Sequence, residues 1–364
     1  MSAKLRVAVL FGGRSGEHAV SLMSAAFILR VLDPAKYDVV PVGISRQGDW
    51  WMGDDALELM QSGETKGLTA VTMLPDPGRP GLASPDGSTI EVDVFFPVLH
   101  GTFGEDGTLQ GLLEMAGAAY VGAGVLGSAA AMDKSLFQAV MQAHGIPTVE
   151  TQLVLRSEME ADMDAALDTA EKTGEYPLFV KPANLGSSVG ISKAASRSDL
   201  MEGLMDASQY DRRVIVQKGY DVREIEVSVL GNDHPEASVC GEILPAAEFY
   251  SYDAKYHDDR SKAIIPADIP ANVSDEIRSL AVRAYKACDL AGLARVDFFL
   301  EKGSARVYIN EINTMPGFTE ISMFPMLWEA SGLSNQDLVD RLIELALERK
   351  ADREKTSHQF ERSD

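Results

Sequence analysis

The chain has 364 residues, of which 45% are hydrophobic and 24% charged, and its 33 Lys and Arg against 55 Asp and Glu leave a net charge of −22. A protein that grips phosphate backbones or an anionic membrane surface needs a basic face, so the balance excludes nucleic acid and membrane as partners. Cys240 and Cys288 lie far apart and offer neither a disulfide framework nor a metal cluster. With no long apolar run and no leader-like N-terminus, the sequence reads as a cytoplasmic enzyme of two or three domains.

Arg6 to Phe11 (RVAVLF) is a continuous apolar strand, followed by Gly12-Gly13 and a helical pattern through Ser21, Leu22, Ala25, Ile28, Leu29 and Leu32. Tyr37 to Ile44, Val92 to Leu99 and Ala119 to Val121 are further strand signals. The Gly-, Pro- and Ser-rich stretch 62–90 between them predicts a surface insertion. From Ser128 one helix runs to Gly145, with Pro147 as a stop signal. Strand Thr148–Leu155, an acidic helix 159–172, strand Leu178–Lys181, a glycine loop and strand Val214–Lys218 follow. The remainder carries strand Glu224–Leu230, a polar loop at 246–268, helix Ser274–Leu290, strands Ala294–Leu300 and Val307–Ile312, and an amphipathic helix Asn335–Lys350. Alternating strands and helices predict an α/β fold in three lobes, 1–127, 128–223 and 224–350, ahead of a charged tail at 351–364.

Two short patterns point to other chemistries. Gly122, Gly124 and Gly127 match the GxGxxG of a dinucleotide fold, with Glu150 downstream, so an NAD-dependent oxidoreductase is an alternative. Position weighs against it, because three strands precede the motif and the fingerprint belongs on a domain's first strand. Residues 186–190 (GSSVG) match the nucleophile elbow of hydrolases, but Pro182 ends the preceding strand too early to deliver a serine to a sharp turn.

The same segments assemble a phosphate and metal site. Lys181 ends an apolar strand beside the loop 184–191, whose Gly186 and Gly190 let backbone N–H groups approach phosphates; Lys134 supplies a second cation. Period-two alternation puts Arg295 and Asp297 on one face of a strand, and Glu311 and Asn313 on one face of the next. A turn of about five residues centred on Ser304 sets Asp297 opposite Glu311. Two carboxylates and a carboxamide oxygen suit magnesium, which also takes phosphate oxygens.

Seven ordered segments carry a resemblance: FGGRSGEHAVSLMSA (11–25), HGTFGEDGTLQG (100–111), YVGAGVLGSAAAMDK (120–134), VKPANLGSSVGISK (180–193), EFYSYDAKY (248–256), RVDFF (295–299) and NEINTMPGFTEIS (310–322). Together they resemble the signatures of the D-alanine:D-alanine ligase family within the ATP-grasp superfamily. That resemblance implies a Rossmann-like parallel-sheet lobe, a central α+β lobe and a C-terminal α+β lobe. It also implies ATP-dependent ligation of two D-alanines through an acyl phosphate, for peptidoglycan precursors.

By resemblance, Glu17 holds the ammonium of the first D-alanine with His100 near its carboxylate, and Glu17, Ser187 and Tyr256 form a hydrogen-bonded trio that closes a loop over the site. Lys134, Lys181 and Ser188 contact ATP phosphates, and Lys255 reaches the γ-phosphate. Asp297, Glu311 and Asn313 ligate two Mg2+ or Mn2+ ions. Arg295 and the N–H of Gly317 stabilise the oxyanion, and Ser322 takes the second carboxylate. Gln217, Lys218 and Tyr220 hold adenine and Glu224 the ribose. The resemblance further implies a homodimer. Gln217 replaces a common Glu, and Ala19 replaces another. A D-alanine:D-lactate ligase is the close alternative; because Tyr256 stands where such relatives carry His, the expected second substrate is D-alanine.

Overall fold

The computed structural model describes residues 4–186, 189–244 and 262–357. In chain order its elements are β1 (Leu5–Gly12), α1 (His18–Val31), β2 (Tyr37–Ile44), β3 (Trp50–Met52), α2 (Ala56–Ser62), β4 (Thr69–Leu74), β5 (Gly81–Ala83), β6 (Thr89–Glu91), β7 (Val94–Pro97), α3 (Thr108–Met115), α4 (Val125–Met132) and α5 (Lys134–Ala143). Then come β8 (Thr151–Leu155), α6 (Arg156–Ala161), α7 (Met163–Ala170), β9 (Leu178–Pro182), β10 (Ser192–Ala194), α8 (Arg197–Tyr210) and β11 (Arg213–Lys218). The last group is β12 (Val222–Gly231), β13 (Glu236–Leu244), β14 (Lys262–Ile264), α9 (Ala271–Ala287), β15 (Gly292–Glu301), β16 (Val307–Asn313), α10 (Met323–Ala330) and α11 (Asn335–Arg353).

The first sheet has the order β6-β5-β4-β3-β2-β1-β7. β1 lies parallel to both β2 and β7, and Val7 through Phe11 are wholly buried, as a strand covered on both faces must be. The stretch 62–90, expected as a surface insertion, instead builds β4, β5 and β6 and widens this sheet by antiparallel pairing. Its strands are only three to six residues long, too short for alternation to stand out among the glycines and prolines.

The second sheet, β10-β9-β11-β8, is antiparallel and rests on α7 and α8 through Leu167, Leu200 and Leu204. The third, β14-β13-β12-β15-β16, is antiparallel throughout. The two helices expected at 128–145 and 159–172 are each broken once. Asp133 accepts from the N–H groups of Ser135 and Leu136 and restarts the chain as α5, and Asp162 does the same for α7 through Ala165. An internal Asp that caps costs a helix its continuity, and apolar spacing alone does not register it.

Lobe membership does not follow chain order. Phe137, Met141 and Ile146, expected in the central lobe, pack with α9 and β15 in the core of the third sheet. Leu338, Leu342 and Leu345 of α11 are wholly buried against Val7, Val9 and Val94 of the first sheet. Burying each leucine stabilises the first lobe by roughly 1.5–3 kcal/mol. At the end of α11, Arg349 donates to Glu114 (2.7 Å) and to the Tyr120 hydroxyl (2.8 Å), and Arg353 pairs with Glu114. Both cysteines are buried. Among the described residues no helix is long and apolar enough to cross a membrane.

Candidate active site

A cavity of about 430 Å³ opens where the start of α1, the loop after β7, the start of α5 and the β15–β16 hairpin converge. Glu17, His100, Lys134, Arg295, Glu311, Asn313, Gly317 and Ser322 all line it, so eight of the site residues expected from sequence are brought together. Asp297 joins them through Arg295 and Asn313. Ser187, Ser188, Lys255 and Tyr256 lie outside the described residues.

The hairpin wall is set by register. A symmetric five-residue turn would pair Glu301 with Val307, but Leu300 takes that place, and every pair up to Phe298–Ile309 is shifted by one. A bulge then absorbs Asn310 and restores Asp297 opposite Glu311 and Arg295 opposite Asn313. Had the ladder continued without it, Asp297 would face Asn310, and Glu311 would turn toward the apolar side that holds Ile309 and Ile312. Asp297 receives both arms of the Arg295 guanidinium at 2.7 Å and the Asn313 amide at 3.0 Å. Burial works against the Arg295 charge, but Asp297, Glu226 and Glu311 outweigh it and raise the pKa well above the ordinary arginine value.

Glu226 was not expected from sequence. It lines the cavity and lies 3.0 Å from Arg295 Nε, directly across the strand pair from Asp297. The signal was present: in VREIEV the period-two rule puts Glu224 and Glu226 together on the face opposite Ile225 and Val227, the reading that found Arg295 and Asp297.

The opposite wall is built from loops and helix starts. A Cβ on Gly101 would sit 2.5 Å from the Glu17 carboxylate, and one on Gly186 would sit 2.9 Å away, so two glycines from distant segments make room for this acid. His100 is buried with its imidazole pKa lowered by burial, and its ring is therefore neutral at neutral pH. Nδ1 lies 2.8 Å from the Met315 carbonyl, which can only accept. The proton therefore sits on Nδ1, and Nε2 accepts from the Ser24 hydroxyl at 2.9 Å. Ser24 Oγ in turn accepts from the N–H of Phe318 at 3.1 Å. With both nitrogens engaged, His100 pins α1 to the loop after β16.

Glu105, also missed from sequence, accepts from the N–H of Gly101 at 2.7 Å. Burial, then the neighbouring charge of Glu17, pushes its pKa up to about 8. Lys134 is the first residue of α5, where a mid-helix position was expected; its ammonium donates to the Leu185 carbonyl at 2.8 Å and lies 3.4 Å from Glu311.

A second group stands apart from the cavity. Lys181 is buried on β9 with its ammonium 5.9 Å from the centre of the Phe299 ring, and Phe299 pairs with Glu224 across the sheet. Gln217 is buried and donates to Thr151 at 3.3 Å, Lys218 covers the Tyr220 ring, and Tyr220 stacks on Tyr308 while donating to Glu150 at 2.6 Å. An aromatic face and a buried carboxamide suit a planar base.

For divalent metal the donor chemistry fits. Asp297, Glu311 and the Asn313 carboxamide are hard oxygen donors on adjacent strands. Among the described residues no three of His, Cys, Asp and Glu gather as a metal cluster. The GxGxxG glycines have no room for a dinucleotide. A Cβ on Gly122 would approach Leu293 and Met315, one on Gly124 would lie 2.5 Å from Arg349, and one on Gly127 would lie 2.7 Å from Leu290.

The chain is similar to known proteins. A family described as D-ala D-ala ligase N-terminus matches residues 6–123, and one described as D-ala D-ala ligase C-terminus matches residues 140–344. A D-alanine–D-alanine ligase of Natranaerobius thermophilus is 49% identical over 99% of this chain and 100% of its own. The solved D-alanine-D-alanine ligase of Coxiella burnetii superposes with a TM-score of 0.84 at 37% identity, covering 97% of this chain and 96% of that one. The VanG D-Ala:D-Ser ligase of Enterococcus faecalis gives 0.86 at 35%, covering 94% and 100%.

Proposed function

Since the chain belongs to the D-alanine:D-alanine ligase family and joins two D-alanines at the expense of ATP, we propose how its residues divide that work. The observation that carries the reading is the convergence of an acid at a helix start, two cations and Glu311 in one cavity, with Asp297 opposite Glu311 across the hairpin. Glu17 takes the ammonium of the first D-alanine. A carboxylate oxygen of that D-alanine attacks the γ-phosphorus, ADP leaves and D-alanyl phosphate forms. The amine of the second D-alanine then attacks the acyl carbon, the amide bond forms and phosphate departs. Arg295 and the N–H of Gly317 face the oxyanion of that step, and Ser322 takes the second carboxylate.

Lys134 and Lys181 bind the ATP phosphates together with Ser188, and Lys255 follows the γ-phosphate. Gln217, Lys218 and Tyr220 receive the base and Glu224 the ribose. Asp297, Glu311 and Asn313 would hold two Mg2+ or Mn2+ ions, whose charge offsets that of the transferring phosphoryl group. Glu17, Ser187 and Tyr256 close the site and keep water from the acyl phosphate. His100, which lines the same cavity as Glu17, lies near the carboxylate of the first D-alanine, and its bonds to Ser24 and Met315 set its position. The setting is peptidoglycan precursor synthesis in the cytoplasm, by a homodimer of three lobes, with α5 packed on the third sheet and α11 returned to the first.

Phosphate release with ATP, magnesium and D-alanine tests the reading: release that requires D-alanine is expected, and release indifferent to it would sink the assignment. Competition between D-alanine and D-lactate at pH 7 tests the second substrate. The dipeptide should dominate, and a predominance of the ester would give the site to the depsipeptide reaction.

A further inference from the structure

Asp133 makes more contacts than a helix cap requires. Its Oδ1 accepts from the N–H groups of Ser135 (3.0 Å) and Leu136 (2.9 Å), which completes the cap of α5. The same carboxylate also receives the Arg213 fork, Nε at 2.7 Å on Oδ2 and NH2 at 3.3 Å on Oδ1, and Oδ2 takes the Asn184 amide at 3.1 Å. Asn184 is gripped from the other side by Asp211, whose Oδ2 accepts both its backbone N–H and its side-chain amide at 2.9 Å. Asp211 Oδ1 closes the circuit by accepting from the N–H of Arg213 at 3.1 Å. Two carboxylates, one carboxamide and one guanidinium thus join three chain segments in a partly buried knot.

The knot adjoins Lys134. The N–H of Lys134 donates to the Ala183 carbonyl at 3.0 Å, and its ammonium donates to the Leu185 carbonyl, so the residue is tied at both ends to the segment that Asn184 anchors. Asp133 comes from the helix pair packed on the third sheet, whereas Asn184, Asp211 and Arg213 belong to the second. The arrangement therefore crosses from one lobe to the other where the phosphates are assigned.

We infer that Asp133, Asn184, Asp211 and Arg213 are positioning residues for ATP: they fix the Lys134 ammonium and the start of the glycine loop, Ala183 to Gly186, in one frame before the nucleotide arrives. Preorganisation of this kind is read in nucleotide affinity, because the ordering of cation and backbone is complete beforehand. Burial pushes the Asp133 carboxyl up, but the bonds from Arg213 and Leu136 outweigh it and hold the group below the ordinary carboxylate range, so it is charged against the guanidinium at neutral pH. The inference rests on the assignment of Lys134 to the ATP phosphates.

Asp133→Asn is the sharpest variant, since asparagine keeps an oxygen to cap α5 but removes the charge and puts an amide donor where Oδ2 accepted from Arg213 and Asn184. Titration calorimetry with magnesium and a non-hydrolysable ATP analogue should give a Kd about tenfold weaker at unchanged stoichiometry, and steady-state kinetics a KM for ATP raised alike with the KM for D-alanine within twofold. Arg213→Met should match it, and the double variant should be no weaker than either single one. A purely structural role would instead lower the binding stoichiometry and melting temperature and leave Kd in place. Asp211→Asn serves as a second variant should Asp133→Asn fold poorly. Wild-type Kd in Asp133→Asn and Asp211→Asn, or additive losses in the double variant, would overturn the inference, provided Lys134→Met weakens binding. Wild-type affinity in Lys134→Met would instead overturn the phosphate assignment itself, and the inference with it.

Discussion

The two walls of the cavity are made by different means. The hairpin wall takes Arg295, Asp297, Glu311 and Asn313 from one pair of adjacent strands, where ladder hydrogen bonds fix every side chain at once. The opposite wall takes Glu17, His100, Glu105, Lys134 and Gly186 from separate stretches of chain, each placed by its own contacts: Ser24 and Met315 for His100, Gly101 for Glu105, Leu185 for Lys134. A wall supported by a sheet can lose a functional side chain and keep its scaffold. In a wall held by side-chain bonds, function and stability depend on the same atoms.

The most severe test of that contrast is Glu311→Gln. It should reduce turnover by at least about a hundredfold while the melting temperature stays within a few degrees of wild type, measured by phosphate release and calorimetry. A large loss of stability would show that the hairpin wall is not self-supporting. Ser24→Ala probes the other wall. It leaves His100 Nε2 and the N–H of Phe318 buried without a partner, at about 1–3 kcal/mol, so the melting temperature should fall by several degrees along with activity. Unchanged stability would break the distinction.

A smaller effect concerns pH. Glu105 keeps its proton to about pH 8 in the folded chain but releases it near its ordinary value of 4.5 when unfolded. The folded state binds that proton more tightly, so the contribution is complete below pH 4.5 and is lost as pH rises toward 8. Glu105→Gln should flatten the decline, and melting temperatures of both proteins between pH 5 and 8 measure it; parallel curves would show that Glu105 ionises freely. Smallest of all, Arg341→Ala removes an exposed ion pair with Glu344 and Glu348 on α11, and the change should stay within about 0.5 kcal/mol by thermal denaturation.

The same contrast governs what sequence alone could tell. Arg295, Asp297, Glu311 and Asn313 are legible from alternation, because a strand turns spacing into side-chain direction. The bulge at Asn310 is less so: its trace is apolar spacing that lengthens from two, Val307 to Ile309, to three, Ile309 to Ile312. On the other wall spacing carries no such information. Nothing local to Glu105 says that it will line one cavity with Glu17, and nothing in AAMDK says that Asp133 will meet Arg213, eighty residues on. Glu105 and Asp133 were missed, Glu17 and His100 came from resemblance, and Lys134 was read from the residues around it.

The return of α11 to the first lobe sets an order of events in the cell. The strands of the first sheet leave the ribosome early, yet the leucines that cover them, Leu338, Leu342 and Leu345, are among the last residues made. Until then Val7, Val9 and Val94 lack part of their apolar cover, and nascent domains generally consolidate from the N-terminus onward. Here the lobe begun first is finished last, so a chain stalled before residue 335 would present an incomplete core to chaperones and proteases, however well its later lobes had folded.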